Sequence, residues 1–280
     1  MSVDFTPVFP RYEALAAEAD ALFAKVAAAC PGLMPCAPGC GDCCHALFDL
    51  TFIEAVYLNY HFNKAFPPGP ARDALLERAN RADREHYRLK RKAFRAGESG
   101  VSTAEILEDM AKERIRCPLL DDDNRCVLYA ARPLTCRLYG TPLLIGGVTH
   151  TCGQTGFEPG GKYPTVMIEK LQDKLMALSQ EVVAALPTKL PLMGDILVPV
   201  SLALITEYDD EFLGIPTEDD LVQLPKPPVA PEPAPNPSCA TCGQTAGSSA
   251  CDSCGGSTTW VLPGPDGASP DEEDADAPKS

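Results

Sequence analysis

The stretch MPCAPGCGDCCHALF (residues 34–48) places four cysteines within nine residues of one another. These four are Cys36, Cys40, Cys43 and Cys44. Clustered thiols form disulfides in an oxidising compartment, whereas in a reducing one they bind metals or carry out chemistry. The meaning of this stretch therefore depends on the compartment and on which other cysteines of the chain join it.

The compartment is indicated by what the rest of the sequence lacks. The opening MSVDFTPVFPRYEALAAEAD has no basic segment followed by an apolar run, so it predicts no secretory signal. The longest apolar stretch, at residues 196–205, is half a membrane span and contains Pro199. We therefore expect a cytoplasmic protein with no membrane partner, whose 13 cysteines are metal ligands or catalytic thiols.

Helical spacing of apolar residues dominates the chain up to residue 190. It predicts helices at residues 12–29, 51–62, 70–96, from 102 onward, and at 165–186, with capping boxes at Thr51/Glu54 and Ser102/Glu105. Residues 114–140 instead predict a small hairpin and a short helix. The predicted fold class is mainly α with a small metal-organised hairpin region and a C-terminal zinc-ribbon-like module.

The predicted domain organisation has six parts, set by changes in composition. They are an N-terminal helix (1–30), a cysteine-cluster metal-binding domain (31–190), an irregular extension (191–224), a Pro-rich linker (225–238), a zinc-ribbon-like module (239–262) and a disordered acidic tail (263–280).

Four cysteines near the end of the chain form two C-x-x-C-G knuckles. They are Cys239, Cys242, Cys251 and Cys254. This spacing lets two thiolates of each knuckle bind one tetrahedral ion. So short a module cannot stabilise itself by burial, whereas structural zinc contributes roughly 10–16 kcal/mol. We expect a four-thiolate zinc site, the alternative being redox-active or idle C-x-x-C pairs.

Eight further cysteines form a larger set in the main domain. They are Cys36, Cys40, Cys43, Cys44, Cys117, Cys126, Cys136 and Cys152. Cys43 and Cys44 are adjacent, and consecutive side chains diverge, so we expect them to serve two ions or to bridge within one cluster. The set can fill two zinc sites, or hold an iron–sulfur cluster beside a zinc. Arginines stand beside several of these cysteines and can donate to sulfur: Arg116, Arg125, Arg132 and Arg137.

The pattern CAPGCGDCC followed by CPLLDDDNRCVLYAARPLTCRLYG resembles the YkgJ-like CxxCxxCC family, known as a zinc- or iron-chelating domain. The matching elements are Cys117-Pro118, Leu120, Cys126, Tyr129, Arg132-Pro133 and Cys136-Arg137. The resemblance covers residues 36–152 and implies metal chelation by the eight cysteines. Some relatives are flagellin lysine N-methylases, so the resemblance leaves open whether this chain is an enzyme.

Other features have plainer interpretations. The spacing of Cys36, Cys40 and Cys43 also occurs in radical S-adenosylmethionine enzymes, but there it follows a barrel strand and here it follows a helix. His45 and His150 are alternative ligands, and more often such histidines are not ligands. The acidic run at residues 121–124 fits a turn.

The arginine-rich helix at residues 71–95 is a solvated face, a surface for an acidic partner, an RNA or a cofactor carboxylate, or a source of positive charge that offsets the cysteine cluster. We expect any partner at this helix or at the C-terminal module to be a protein. General nucleic-acid binding is not expected, because the net charge is −15.

Overall fold

The structure, a computed structural model, describes residues 3–158 and 160–217, and helices dominate this part of the chain. The α-helices are α1 (Phe9–Ala29), α2 (Phe52–Ala65), α3 (Pro70–Glu98), α4 (Thr103–Lys112), α5 (Leu134–Leu138), α6 (Ile168–Ala184) and α7 (Val200–Ile205). Single turns of 3-10 helix lie at Thr6–Val8, Asp42–His45, Tyr129–Ala131 and Pro191–Asp195. The mainly α prediction is confirmed for these residues.

The strands are short and belong to two small sheets. They are β1 (Asp49–Leu50), β2 (Leu143–Ile145), β3 (Val148–His150), β4 (Val166–Met167) and β5 (Val198–Pro199). β1 pairs antiparallel with β5, with Leu50 opposite Val198. The second sheet has the order β3-β2-β4, antiparallel between β3 and β2 and parallel between β2 and β4. The sequence predicted none of these pairings, because strands of two or three residues have no detectable period.

The five predicted long helices or helix starts are all present, with ends shifted by a few residues. Both predicted capping boxes form: Glu54 reaches back to the backbone of Thr51, and Glu105 to that of Ser102. The short helix predicted near Pro133 is α5. The predicted hairpin is a tight turn closed by one antiparallel bridge, between Leu120 and Cys126.

α2 lies at the centre of the described fold, with nine of its 14 residues buried. Its sequence FIEAVYLNYHFNKA is apolar around most of the helix, which is typical of a helix covered on more than one side. Ile53 and Tyr57 pack into a core with α1, α5 and α6. Leu58 and Phe62 pack into a second core with α3 and α7. α2 thus separates and supports two cores.

Residues 191–217 pack against this centre. α7 contributes the buried residues Ala203 and Leu204 to the second core. The Asn59 amide on α2 donates to the Ala203 and Thr206 carbonyl oxygens, at 2.9 and 3.0 Å. These bonds satisfy carbonyls at the end of α7 that have no partner within so short a helix. The predicted linker, zinc-ribbon-like module and acidic tail lie outside the described residues.

Among the described residues, no helix is both long enough and apolar enough to cross a lipid bilayer.

The buried Glu54 carboxylate joins α2 to the start of α5. Its Oε2 accepts from the Thr51 backbone N–H at 3.2 Å, and its Oε1 accepts from the Leu134 N–H at 3.0 Å. Burial raises the pKa of Glu54, and the three hydrogen bonds that it accepts oppose this rise. α5 is therefore tied to the N-terminus of α2 through one side chain.

We predict that Glu54→Ala lowers the free energy of unfolding by about 1–3 kcal/mol, because it leaves the Leu134 and Thr51 N–H groups buried without an acceptor. Urea unfolding followed by circular dichroism measures this. The matched control is Glu77→Ala, which removes an exposed carboxylate 3.4 Å from Arg81 and should cost less than about 0.5 kcal/mol. Equal losses in the two variants would contradict the assigned role of Glu54.

Candidate metal centre

The first four cysteines lie on two consecutive turns between α1 and β1. Cys36 and Cys40 flank a turn in which the Cys40 N–H donates to the Ala37 carbonyl at 3.0 Å. Gly39 has φ +93°, a conformation that favours glycine. Cys43 and Cys44 follow on the 3-10 turn Asp42–His45. The sequence PGCGD thus folds as turns because proline, glycine and aspartate each favour them.

Backbone pairing brings the next two cysteines beside this loop. The Cys117 N–H donates to the Cys44 carbonyl at 2.7 Å. The chain then turns at residues 121–125, where Asp121 Oδ1 accepts the Arg125 N–H at 2.7 Å and Asn124 has φ +56°. The acidic run is therefore a turn, as expected. It brings Cys126 back beside Cys117 and the loop of the first four cysteines.

The last two cysteines of the set come from α5 and from the loop after β3. Cys136 lies in the middle of α5. Cys152 follows the β2–β3 hairpin, whose turn is Gly146-Gly147. The Gly156 N–H, just beyond Cys152, donates to the Leu33 carbonyl at 2.8 Å. This bond holds the loop of Cys152 beside the loop that begins the first cluster.

One cavity of about 460 Å³ is lined by all eight cysteines that the sequence assigned to the main domain. They are Cys36, Cys40, Cys43, Cys44, Cys117, Cys126, Cys136 and Cys152. All eight are free thiols. Neither His45 nor His150 is part of the cavity wall, and Cys30 is buried in the first core. The fold therefore gathers this set from four separate segments of the chain.

The eight thiols line the cavity wall, but they do not converge on a single metal position. Within residues 3–158 and 160–217, no three Cys, His, Asp or Glu side chains form a preformed coordination shell. The donor set nevertheless fits a thiophilic ion, because eight cysteines, which carry soft sulfur donors, line one cavity. Binding an ion there requires rearrangement of cysteine side chains toward it.

Cys43 and Cys44 contact each other through their thiols. The sequence led us to expect divergent side chains, but successive residues of a 3-10 turn are only about 120° apart, so both can face the cavity. The hydrogen bond from Cys44 lowers the pKa of Cys43 to about 7. The same bond, together with burial, raises the pKa of Cys44. The pair thus favours one thiolate at neutral pH.

Burial raises the pKa of most other thiols of the set. It raises the pKa of Cys117 to about 12 and that of Cys152 to about 11. It also raises the pKa of Cys36, Cys126 and Cys136. Without a cation these thiols hold their protons at neutral pH, so binding of a metal ion would release protons.

Asp42 organises the outer side of the cavity, where it contacts three side chains. Its Oδ2 accepts from the Tyr139 hydroxyl at 3.0 Å and from Cys152 Sγ at 3.2 Å, and its Oδ1 accepts from Arg114 Nη2 at 2.6 Å. Burial raises the pKa of Asp42, but the bonds from Cys152 and Tyr139 and the Arg114 charge lower it overall. Asp42 thereby links Cys152 to the CGDCC loop.

The four arginines predicted beside the cysteines all line the cavity: Arg116, Arg125, Arg132 and Arg137. Arg137 and Arg132 share the Asp20 carboxylate, at 2.6 and 3.1 Å. Arg116 donates to the Asp121 carbonyl at 2.6 Å. These bonds position positive charge around the thiols, where it favours their ionised form.

Sequence reasoning missed several residues of the wall. It gave no role to Asp42 or Tyr139, although both stand inside the cysteine motifs CGDCC and CRLYG. It also gave no role to His86, which lines the cavity from α3. Burial lowers the pKa of His86. No local pattern marks His86, because it reaches the cavity only through the packing of α3.

Comparison with known families agrees with the cysteine pattern. Residues 35–153 match a family model, CxxCxxCC, described as "Putative zinc- or iron-chelating domain". The resemblance inferred from the sequence is thus confirmed, and the matched segment contains all eight cysteines of the cavity. Comparisons with curated proteins and with solved structures give no match.

The second cysteine set lies outside the described residues. Cys239, Cys242, Cys251 and Cys254 also lie outside the CxxCxxCC segment. Their assignment to a zinc site stays a prediction from spacing.

We predict that Cys43→Ser or Cys44→Ser lowers the bound metal per chain and the melting temperature, because serine oxygen is a poor substitute for a thiolate ligand. Metal analysis and thermal unfolding measure the two effects. Cys30→Ala is the control, since Cys30 lies in the first core and should leave metal content unchanged. Unchanged metal content and melting in the serine variants would contradict the role of the adjacent pair.

Gly140 gives a second, independent test of the cavity. It has φ +100°, and a Cβ at this position would lie 2.6 Å from Cys36 Sγ. We predict that Gly140→Ala displaces Cys36 and lowers metal content. Gly147→Ala is the matched control, because Gly147 has φ +81° with nothing within 4 Å of its Cβ position. Both variants carry the backbone strain, so equal metal content in the two would argue against Cys36 as a ligand.

Proposed function

We propose that this protein binds zinc or iron through the eight cysteines of the cavity. The proposed ligands are Cys36, Cys40, Cys43, Cys44, Cys117, Cys126, Cys136 and Cys152. The observation that carries the proposal is their convergence on one cavity from four separate segments. Cys117 and Cys126 also pack against the second core, but the other six cysteines of the cavity belong to neither core, unlike Cys30 in the first.

The number of sulfur donors favours more than one metal ion. A tetrahedral ion takes four thiolates, so eight supply two such sites, or a zinc and an iron–sulfur cluster. Cys43 interacts electrostatically with Cys36 of the first loop and also with Cys117 and Cys136 of later segments. This position suits a thiolate that bridges two metal ions.

We further propose a four-thiolate zinc site at Cys239, Cys242, Cys251 and Cys254. Its support is the paired C-x-x-C-G spacing in the sequence. The proposal as a whole requires a reducing setting such as the cytoplasm, where closely spaced thiols persist without forming disulfides.

A second candidate function is catalysis at an open metal position, of the lysine N-methylase or redox type. The size of the cavity favours it. About 460 Å³ is within the range of small-molecule sites and far exceeds the roughly 30 Å³ that a water-sized ion occupies. Cys36 and Cys40 are exposed, so an ion bound there would be accessible to a substrate.

The decisive experiment is metal and sulfide analysis with visible absorption on the full chain purified without oxygen. We expect zinc or iron at more than one ion per chain. A variant with the four C-terminal cysteines replaced by serine isolates the cavity and should keep its metal. A variant with Cys117, Cys126 and Cys136 replaced by serine should lose the metal bound in the cavity.

The outcomes separate the two candidates. Iron, sulfide and a visible absorption band would favour the redox or methyl-transfer function, whereas a colourless protein with only zinc would favour structural metal sites. Absence of metal in the variant that lacks the C-terminal cysteines would contradict metal binding by the cavity.

A further inference from the structure

The second half of α3 carries a stripe of four arginines at positions 84, 88, 91 and 95. This spacing places them within about 60° of one another around the helix axis and over about 16 Å along it. All four side chains are exposed. In residues 3–158 and 160–217, none of them forms an ion pair or a side-chain hydrogen bond. We call these residues the arginine stripe.

Basic residues on the other faces of α3 have partners within the fold. Lys90 Nζ lies 2.8 Å from Asp49 Oδ2, and Lys92 Nζ lies 3.6 Å from Glu113 Oε1. Arg78 donates to the Leu120 carbonyl at 3.1 Å. The arginine stripe points away from Leu75, Ala79 and Ala82, which pack α3 into the second core. Within the described residues it therefore contributes no ion pair or side-chain hydrogen bond to the fold.

Two exposed aromatic rings lie along one edge of the stripe. Tyr87 and Phe94 are 64% and 67% exposed, and they are seven residues apart. Side chains at this spacing recur on one side of a helix and meet a partner helix laid along it. Exposed tyrosine and arginine are residues that contribute most to protein interfaces. The surface thus has an apolar strip beside a positively charged strip.

The surroundings of the stripe favour a protein partner over a nucleic acid. The contact between Lys92 and Glu113 places the end of α4 at the edge of the stripe opposite the rings. α4 and its C-cap carry Glu105, Glu108, Asp109 and Glu113. A long polyanion would approach these carboxylates and a chain of net charge −15. A helix of about three turns matches the 16 Å stripe without extending over α4.

We infer that the arginine stripe, with Tyr87 and Phe94, is a docking surface for an acidic amphipathic helix of another protein. Carboxylates of that helix pair with the arginines, and its apolar side chains cover the two rings. This inference goes beyond metal binding and does not depend on it.

The probe is a labelled helical peptide of about 12 residues, held helical by a side-chain crosslink because so short a helix is marginal in water, with leucine at heptad positions a and d and glutamate at e and g. Fluorescence anisotropy with the full chain measures its affinity at two salt concentrations. We expect saturable binding that weakens about tenfold when all four stripe arginines become glutamine. Tyr87→Ser with Phe94→Ser should also weaken it about fivefold.

The control variant removes four positive charges elsewhere, by Lys25→Gln, Lys64→Gln, Lys162→Gln and Lys170→Gln. These lysines are exposed, so both variants should keep the fold, which circular dichroism and melting verify. The control should bind the peptide with an affinity close to that of the unchanged protein.

Three results would overturn the inference. One is no peptide binding, and another is an equal loss of affinity in the stripe and control variants, which would show only non-specific charge attraction. The third is tighter binding of a single-stranded RNA of about 20 nucleotides with the same dependence on the stripe, which would assign the surface to nucleic acid.

Discussion

The Glu54 carboxylate is the connection on which the geometry of the cysteine cavity depends. α2 is buried between two cores, so its N-terminus has a fixed position. Glu54 accepts a hydrogen bond from the Leu134 N–H and so fixes the start of α5 relative to α2. α5 carries Cys136. From the other side, Asp20 on α1 holds Arg137 of α5 at 2.6 Å. The place of Cys136 is therefore set by helix packing and by two carboxylates, one buried and one half-buried.

The remaining cysteines are assembled around α5 by backbone hydrogen bonds. The hydrogen bonds from the Cys117 N–H to the Cys44 carbonyl and from the Gly156 N–H to the Leu33 carbonyl each join two segments that are distant in sequence, and the Leu120–Cys126 bridge closes the turn between Cys117 and Cys126. The two cores already supply a folded scaffold, unlike small zinc modules that are unfolded without their ion. Metal binding then has to draw thiols together within one cavity and remove their protons. A folded scaffold with a separate metal-binding cavity is compatible with both a structural and a catalytic metal centre.

α3 contributes to the second core, to the cavity wall and to the exposed arginine stripe. Its first half closes the second core through Leu75 and Ala79, and Arg78 supports the turn that carries Cys126. Further along, His86 reaches the cavity wall. The arginine stripe then faces solvent. A partner bound there would contact the same helix that lines the cavity, which gives the proposed docking surface a physical connection to the metal centre.

Local sequence predicted α1 to α6, but not α7, and it predicted which cysteines of the main domain line the cavity. Capping boxes at Thr51 and Ser102 mark helix starts because their hydrogen bonds span only three residues, and cysteine spacing within turns is equally local. Tertiary structure decided which further side chains join the four predicted arginines around the thiols. Asp42, Tyr139 and His86 meet the cavity through contacts between distant segments, and strands of two or three residues form only where a partner strand is supplied by the fold. Such contacts depend on packing in three dimensions, which no short-range pattern encodes.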